Sequence, residues 1–169
     1  MTFRANNPLG PAENPPDDGR QSEAANDIAR GITRILRAYG LVALREVTLP
    51  NGRRADVLGL SDKGELWIME IKSSVADFRA DNKWRDYQEF CDRFFFAVAP
   101  DFPVEILPAE TGLVLADRFG GEIGRRAEQV PLPAARRKAL TLLFARTAAA
   151  RLSYLHDPDL VSRIDAFKA

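Results

Sequence analysis

The chain has 169 residues, 24 basic and 24 acidic side chains for a formal net charge of zero, and ordinary apolar content, a balance unlike that of disordered chains or strongly basic nucleic-acid coats. Its single cysteine, Cys91, excludes an internal disulfide, and with no cysteine–histidine cluster there is no basis for a structural zinc site. No apolar run approaches the roughly 20 residues of a membrane span, so the expectation is one cytoplasmic domain with a real core.

Residues 1–20 are rich in Pro, Asn, Gly and Asp and lack the apolar stretch of a signal peptide. They read as a disordered lead-in to a domain over 21–156, with 157–169 as a C-terminal tail. The first helix should start near Ser22, a good N-cap, carry Ala24, Ile28, Ile32, Ile35 and Tyr39 inward, and stop at Gly40. Leu41 to Leu49 reads as a strand, and Pro50-Asn51-Gly52 turns the chain. Glu46 places a further acid in that strand as a candidate ligand, with a surface pair to the neighbouring Arg45 an equal reading.

Two strand-like runs follow, Arg54–Ser61 and Glu65–Lys72, separated by Asp62-Lys63-Gly64. A three-residue loop ending in glycine suits a type I turn plus bulge. Closing it with Ser61 facing Glu65 sets Leu60 against Leu66, Leu58 against Ile68, and Asp56 against Glu70. Opposed residues have β-carbons about 4.5–5.5 Å apart, and like charges there destabilise a sheet. A divalent cation would compensate, since Mg²⁺ takes oxygen ligands, often one or two carboxylates completed by water and phosphate. Lys72, two residues past Glu70, returns to the same face about 6.6 Å along the strand, within reach of a water or phosphate beside such an ion. The bare pattern of an acid two residues before a lysine recurs at Asp81-Asn82-Lys83 in a helix-like stretch. The weight therefore rests on adjacent strands in register, and the bland alternative is a partly solvated Glu70–Lys72 strand pair.

Leu66 and Ile68 line the acid-bearing face of this strand and Trp67, Met69 and Ile71 the other, so helices should cover both. Ser74 with Asp77 three residues on is an N-capping signature, opening a helical stretch that bears Trp84, Tyr87 and Cys91. Arg93–Ala99 reads as a buried strand, parallel to the Glu70 strand through a right-handed crossover. Two shorter strands, Leu113–Ala116 and Glu122–Arg126, separated by a Gly-Gly turn, precede a long helix from about Pro133 to Tyr154. His156, the single histidine, falls in an expected loop, and Ser73 and Ser74 have no histidine to activate them. The expected fold is α/β with a mixed central sheet between helical layers, in the core order αβββαβ.

Asp56 with Glu70-Ile71-Lys72 resembles the PD-(D/E)XK nuclease superfamily. The runs Gly52-Arg-Arg-Ala-Asp56, Glu70-Ile-Lys-Ser-Ser-Val-Ala-Asp-Phe78, Asp81-Asn-Lys-Trp84 and Cys91-Asp-Arg-Phe-Phe-Phe-Ala97 are similar to the MmcB-type DNA-repair endonuclease family. Ala55 stands where the superfamily usually has proline. The resemblance covers roughly residues 20–150 and implies a restriction-endonuclease-like fold, a divalent ion such as Mg²⁺ or Mn²⁺, and DNA as substrate; a partner of branched or damaged DNA, or an RNA substrate, is a further reading that differs only in substrate. It also implies an ion held by Asp56, Glu70 and the Ile71 carbonyl, with Lys72 beside it and Glu23 as a further candidate ligand; a helix-dipole role explains Glu23 equally well. For DNA contact the candidates are Arg53 and Arg54 beside Asp56, and Lys83 and Gln88 on the crossover, where they would orient phosphate. Arg125-Arg126 and Arg136-Arg137-Lys138 read more readily as solvated charge. The alternative from another class is a non-catalytic module on this fold that binds nucleic acid or protein, and a homodimer is compatible with either reading.

Overall fold

The structure, a computed structural model, describes residues 23–81 and 83–159; the lead-in, the Ser22 cap, Asn82 and tail residues 160–169 lie outside the described residues. In chain order the elements are α1 (Glu23–Ala38), β1 (Leu41–Thr48), β2 (Arg54–Ser61), β3 (Leu66–Ile71), α2 (Val75–Ala80), α3 (Arg85–Gln88), β4 (Arg93–Val98), β5 (Gly112–Asp117), β6 (Gly120–Arg125) and α4 (Ala134–His156). The strands lie in the sheet in that same order. β1, β2 and β3 form an antiparallel meander, β4 and β5 run parallel to β3, and β6 turns back antiparallel. This is the mixed sheet of the restriction-endonuclease-like fold. No helix among the described residues is long and apolar enough to cross a membrane.

Turn chemistry sets the central hairpin. Gly64 adopts φ +78°, its N–H donates to the Ser61 carbonyl at 3.0 Å, and the Ser61 N–H donates to the Glu65 carbonyl at 3.0 Å. Leu60 then pairs with Leu66 and Leu58 with Ile68, the expected register. Alternation along β3 sends Trp67, Met69 and Ile71 into a layer with Ile28, Ile32, Ile35 and Leu36 of α1. Leu66 and Ile68 enter the opposite layer with Trp84, Tyr87, Phe94, Phe96 and the α4 residues Leu140 and Phe144. Each large side chain so buried contributes about 1.5–3 kcal/mol. At Gly31 α1 presses on the β5–β6 turn; a β-carbon there would meet the Asp117 carbonyl oxygen at 2.2 Å.

Several expectations need correcting. Ala24 and Tyr39 are exposed, and the buried stripe of α1 runs instead through Ile28, Ala29, Ile32, Ile35 and Leu36. The crossover is two short helices, because the Asp81 carboxylate takes the Lys83 N–H at 2.9 Å and ends α2. Gly120 and Gly121 belong to β6; the turn is made by Arg118 and Phe119, where Asp117 accepts the N–H groups of Phe119 and Gly120. His156 is the last residue of α4 instead of part of a loop.

Asp92, 1% exposed, ties the layers together. It accepts the Leu66 N–H at 2.8 Å, the Leu132 N–H at 2.9 Å, and a bidentate fork from Arg137 at 2.6 and 2.7 Å. Burial alone would raise its pKa, but the Arg137 fork and the two N–H groups hold it below the usual value. Asp92→Ala should therefore cost about 3–5 kcal/mol, the scale of breaking a buried pair, read by urea denaturation; a loss under about 1 kcal/mol would place the carboxylate outside the stability of the fold.

Candidate active site

The β2–β3 backbone ladder stops at Val57 and Met69. At the next rung side chains replace it: the Ile71 N–H donates to Asp56 Oδ2 at 2.8 Å, and the Asp56 N–H donates to Glu70 Oε1 at 3.2 Å. The two carboxylates are thus adjacent, as the register required, and each uses one oxygen to hold the other strand's backbone. Beyond them the strands part. A cleft of about 490 Å³ opens there, bounded by Ala25 of α1, the Gly52–Arg54 turn, residues 56 and 70–73, and Asp77, Asp81, Lys83 and Tyr87 of the crossover.

Glu70 is only 3% exposed. Burial first, then repulsion from Asp56, raises its pKa well above the usual carboxylate value, and the nearby Lys72 charge offsets only part. Burial likewise pushes Asp56 from 3.8 up to about 6, against the lowering from the Ile71 N–H and Lys72. A buried and a half-buried carboxylate are held side by side, an arrangement that costs stability unless a proton or a cation neutralises it.

Lys72 follows β3, with its N–H on the Ala97 carbonyl at 2.9 Å. Its amine is 2.6 Å from Asp81 Oδ2. Burial would lower the lysine pKa, but the Asp81 hydrogen bond and charge, with Glu70 and Asp77, carry it above the usual value. The amine is therefore a held cation at the acid pair.

Arg53, Arg54 and Lys83 line the same cleft. Arg53 is engaged with Asp86 at 2.8 and 3.0 Å, and Asn51 donates to the Asp86 carbonyl at 3.1 Å, so the β1–β2 turn is fastened to α3. Arg54 is exposed and Lys83 is exposed. Two expected participants do not line the cleft: Glu23 is exposed at the first position of α1, and Gln88 is exposed at the end of α3. The α1 residue that reaches the cleft is Ala25, so a carboxylate two residues earlier on the helix projects elsewhere.

Among the cleft residues outside the expected set, Asp81 and Tyr87 hold the site's parts in place. Asp81 binds Lys72, and its pattern with Lys83 was visible in sequence, though not its partner nine residues back. Tyr87 sends its hydroxyl to the Arg54 carbonyl at 3.1 Å, clamping the backbone two residues before Asp56; its ring packs among the core aromatics over Phe94. Among the described residues no three acidic, histidine or cysteine side chains form a ready cage. With Asp81 engaged by Lys72 and Asp77 by the Ser73 N–H, what the site offers is the Asp56 and Glu70 carboxylates, oxygen donors of the kind a hard divalent ion takes with water filling its shell.

A family model described as DNA repair protein MmcB-like matches residues 12–159. A protein of unknown function from Silicibacter pomeroyi is 49% identical and superposes with a TM-score of 0.79, covering 83% of this chain and 96% of its own. A repair endonuclease from Pyrococcus abyssi is a much looser likeness, 18% identical with a TM-score of 0.35 over 52% of this chain and 45% of its own. No curated protein matches the chain. With the family model spanning most of its length, the chain belongs to the MmcB-like DNA repair protein family.

Proposed function

We propose that this protein is a divalent-metal-dependent DNA endonuclease acting in repair in the cytoplasm, with branched or damaged DNA among its substrates. The observation that carries the reading is the exchange between half-buried Asp56 and buried Glu70, each carboxylate bonded to the other's strand. Asp56, Glu70 and the Ile71 carbonyl would hold Mg²⁺ or Mn²⁺. Bound there, the ion would polarise the scissile phosphoryl group and lower the pKa of a water.

The chain's own groups do the remainder. Lys72, kept protonated by Asp81, orients a water or offsets negative charge that builds on phosphorus. Arg54 and Lys83 meet flanking phosphates, contacts that position a backbone without reading sequence. Arg53, already spent on Asp86, shapes the wall. A second reading, a module that binds without cleaving, draws on the same ion pairs, since Lys72 and Arg53 are both internally neutralised.

Calorimetric titration with Mn²⁺ tests the ligand set. Wild type should bind one or two ions per chain, and Asp56→Asn should weaken binding by at least about tenfold, the loss of one charged ligand. No heat in wild type, or equal affinity in the variant, would move the reading to the binding module.

A further inference from the structure

Among the described residues Glu46 is the one non-glycine with positive φ, at +50°. It stands in β1 at the register position opposite Asp56, between the pairs Arg45–Val57 and Val47–Ala55. Both strands change face there. Leu44 and Val47 pack into the same apolar layer, as do Ala55 and Leu58, spacings of three where an undisturbed strand requires two or four. Asp56 thus sits at a paired bend, which takes its carboxylate off the ladder and onto the Ile71 N–H.

Arg151 of α4 grips that bend. Its guanidinium donates from Nη1 to the Arg45 carbonyl and from Nη2 to the Glu46 carbonyl, the latter at 2.7 Å. In an extended strand successive carbonyls point to opposite sides, so one fork catches both only where the residue between leaves the extended conformation. The left-handed turn at Glu46 does this. A left-handed backbone at a side chain as large as glutamate is strained, and Arg151 Nε is buried without a partner. Two costs are borne at one point, which a merely decorative contact would not need.

We infer that Arg151 is a positioning residue: by holding the bend at Glu46 it sets Asp56 against Ile71 and keeps the acid pair in place. Its link to cleavage rests on the proposed function, but its link to Asp56 geometry does not. The guanidinium acts from the last helix, so the site depends on the C-terminal half of α4 although no α4 residue lines the cleft.

Amide hydrogen exchange at Ile71, whose N–H is held by Asp56, reads the geometry directly, with Phe96 in neighbouring β4 reporting global opening. Arg151→Met, which keeps the apolar stem and removes the fork, should lower Ile71 protection by about tenfold or more beyond any change at Phe96. Arg151→Lys, which has no fork to span two carbonyls, should fall between and guards against a Met variant that fails to fold. Adding Glu46→Gly, which adopts positive φ without strain, should restore Ile71 protection in the Arg151→Met background. Ile71 falling only in step with Phe96, or no restoration by glycine, would overturn the assignment. Mn²⁺ affinity measured on the same proteins separates the two claims: Ile71 responses as expected in a wild type that binds no Mn²⁺ would uphold the positioning role while the nuclease reading fails.

Discussion

Glu70→Gln is expected to stabilise the metal-free protein at pH 8 while abolishing the stabilisation by Mn²⁺ and the cleavage of DNA. Of the influences on Glu70, burial and Asp56 repulsion outweigh attraction by Lys72, so the neutral amide removes more cost than benefit. Its carbonyl still accepts the Asp56 N–H. Asp56 sets the scale, since a rise from 3.8 to about 6 corresponds to at most about 3 kcal/mol. The sign follows from linkage: both carboxyls bind protons more tightly folded than unfolded, so their contribution is fully present below about pH 4 and is lost as pH rises, through about 6 for Asp56 and well above the usual carboxylate range for Glu70. The glutamine variant should therefore melt about 2–8 °C above wild type at pH 8 without metal, and the gap should close towards pH 4. Excess Mn²⁺ should reverse the order, because an ion that binds only the folded form stabilises it. Differential scanning calorimetry at the two pH values checks this. A metal-free glutamine variant that melts below wild type at pH 8 would mean that the Glu70 charge is already compensated.

Removing the Lys72 amine should have the other large effect, on rate more than on metal affinity. Lys72→Ala is expected to cut cleavage by about 10²-fold or more, the scale of losing one preorganised stabiliser, while Mn²⁺ affinity changes only a few-fold. It should also destabilise by about 3–5 kcal/mol, because Asp81 loses a partner at 2.6 Å beside the Asp56–Glu70 acid pair. Asp81→Asn separates the roles. It spares the amine but releases it, so kcat should fall less than in Lys72→Ala. Paired kcat and KM values for the two variants check this; equal loss in both would make the ion pair, and not the amine, the functional unit.

The acid pair was legible because every step to it is local. Gly64 sets the turn, the turn sets the register, and the register sets Asp56 against Glu70. The two apolar faces of β3 were legible for the same reason, as was the parallel strand after the crossover. What escaped depends on distant partners. The crossover breaks because Asp81 reaches Lys72 and the Lys83 N–H, and helical spacing alone continues through it. Gln88 shared a plausible helical sector with Lys83, and Glu23 stood in the first turn of α1, yet the break in the crossover and the position of Ala25 at the cleft leave both outside it. The bend at Glu46 answers to an arginine more than a hundred residues later, and no window of sequence contains both.

The measurement closest to the central claim is Mn²⁺- and Mg²⁺-dependent cleavage of supercoiled, linear, single-stranded and branched DNA by wild type beside Glu70→Gln and Lys72→Ala. Cleavage by wild type that disappears in both variants is the predicted result, with the most rapidly cut DNA defining the substrate class. No cleavage by folded wild type, or equal cleavage by all three, would contradict a nuclease built on Asp56, Glu70 and Lys72.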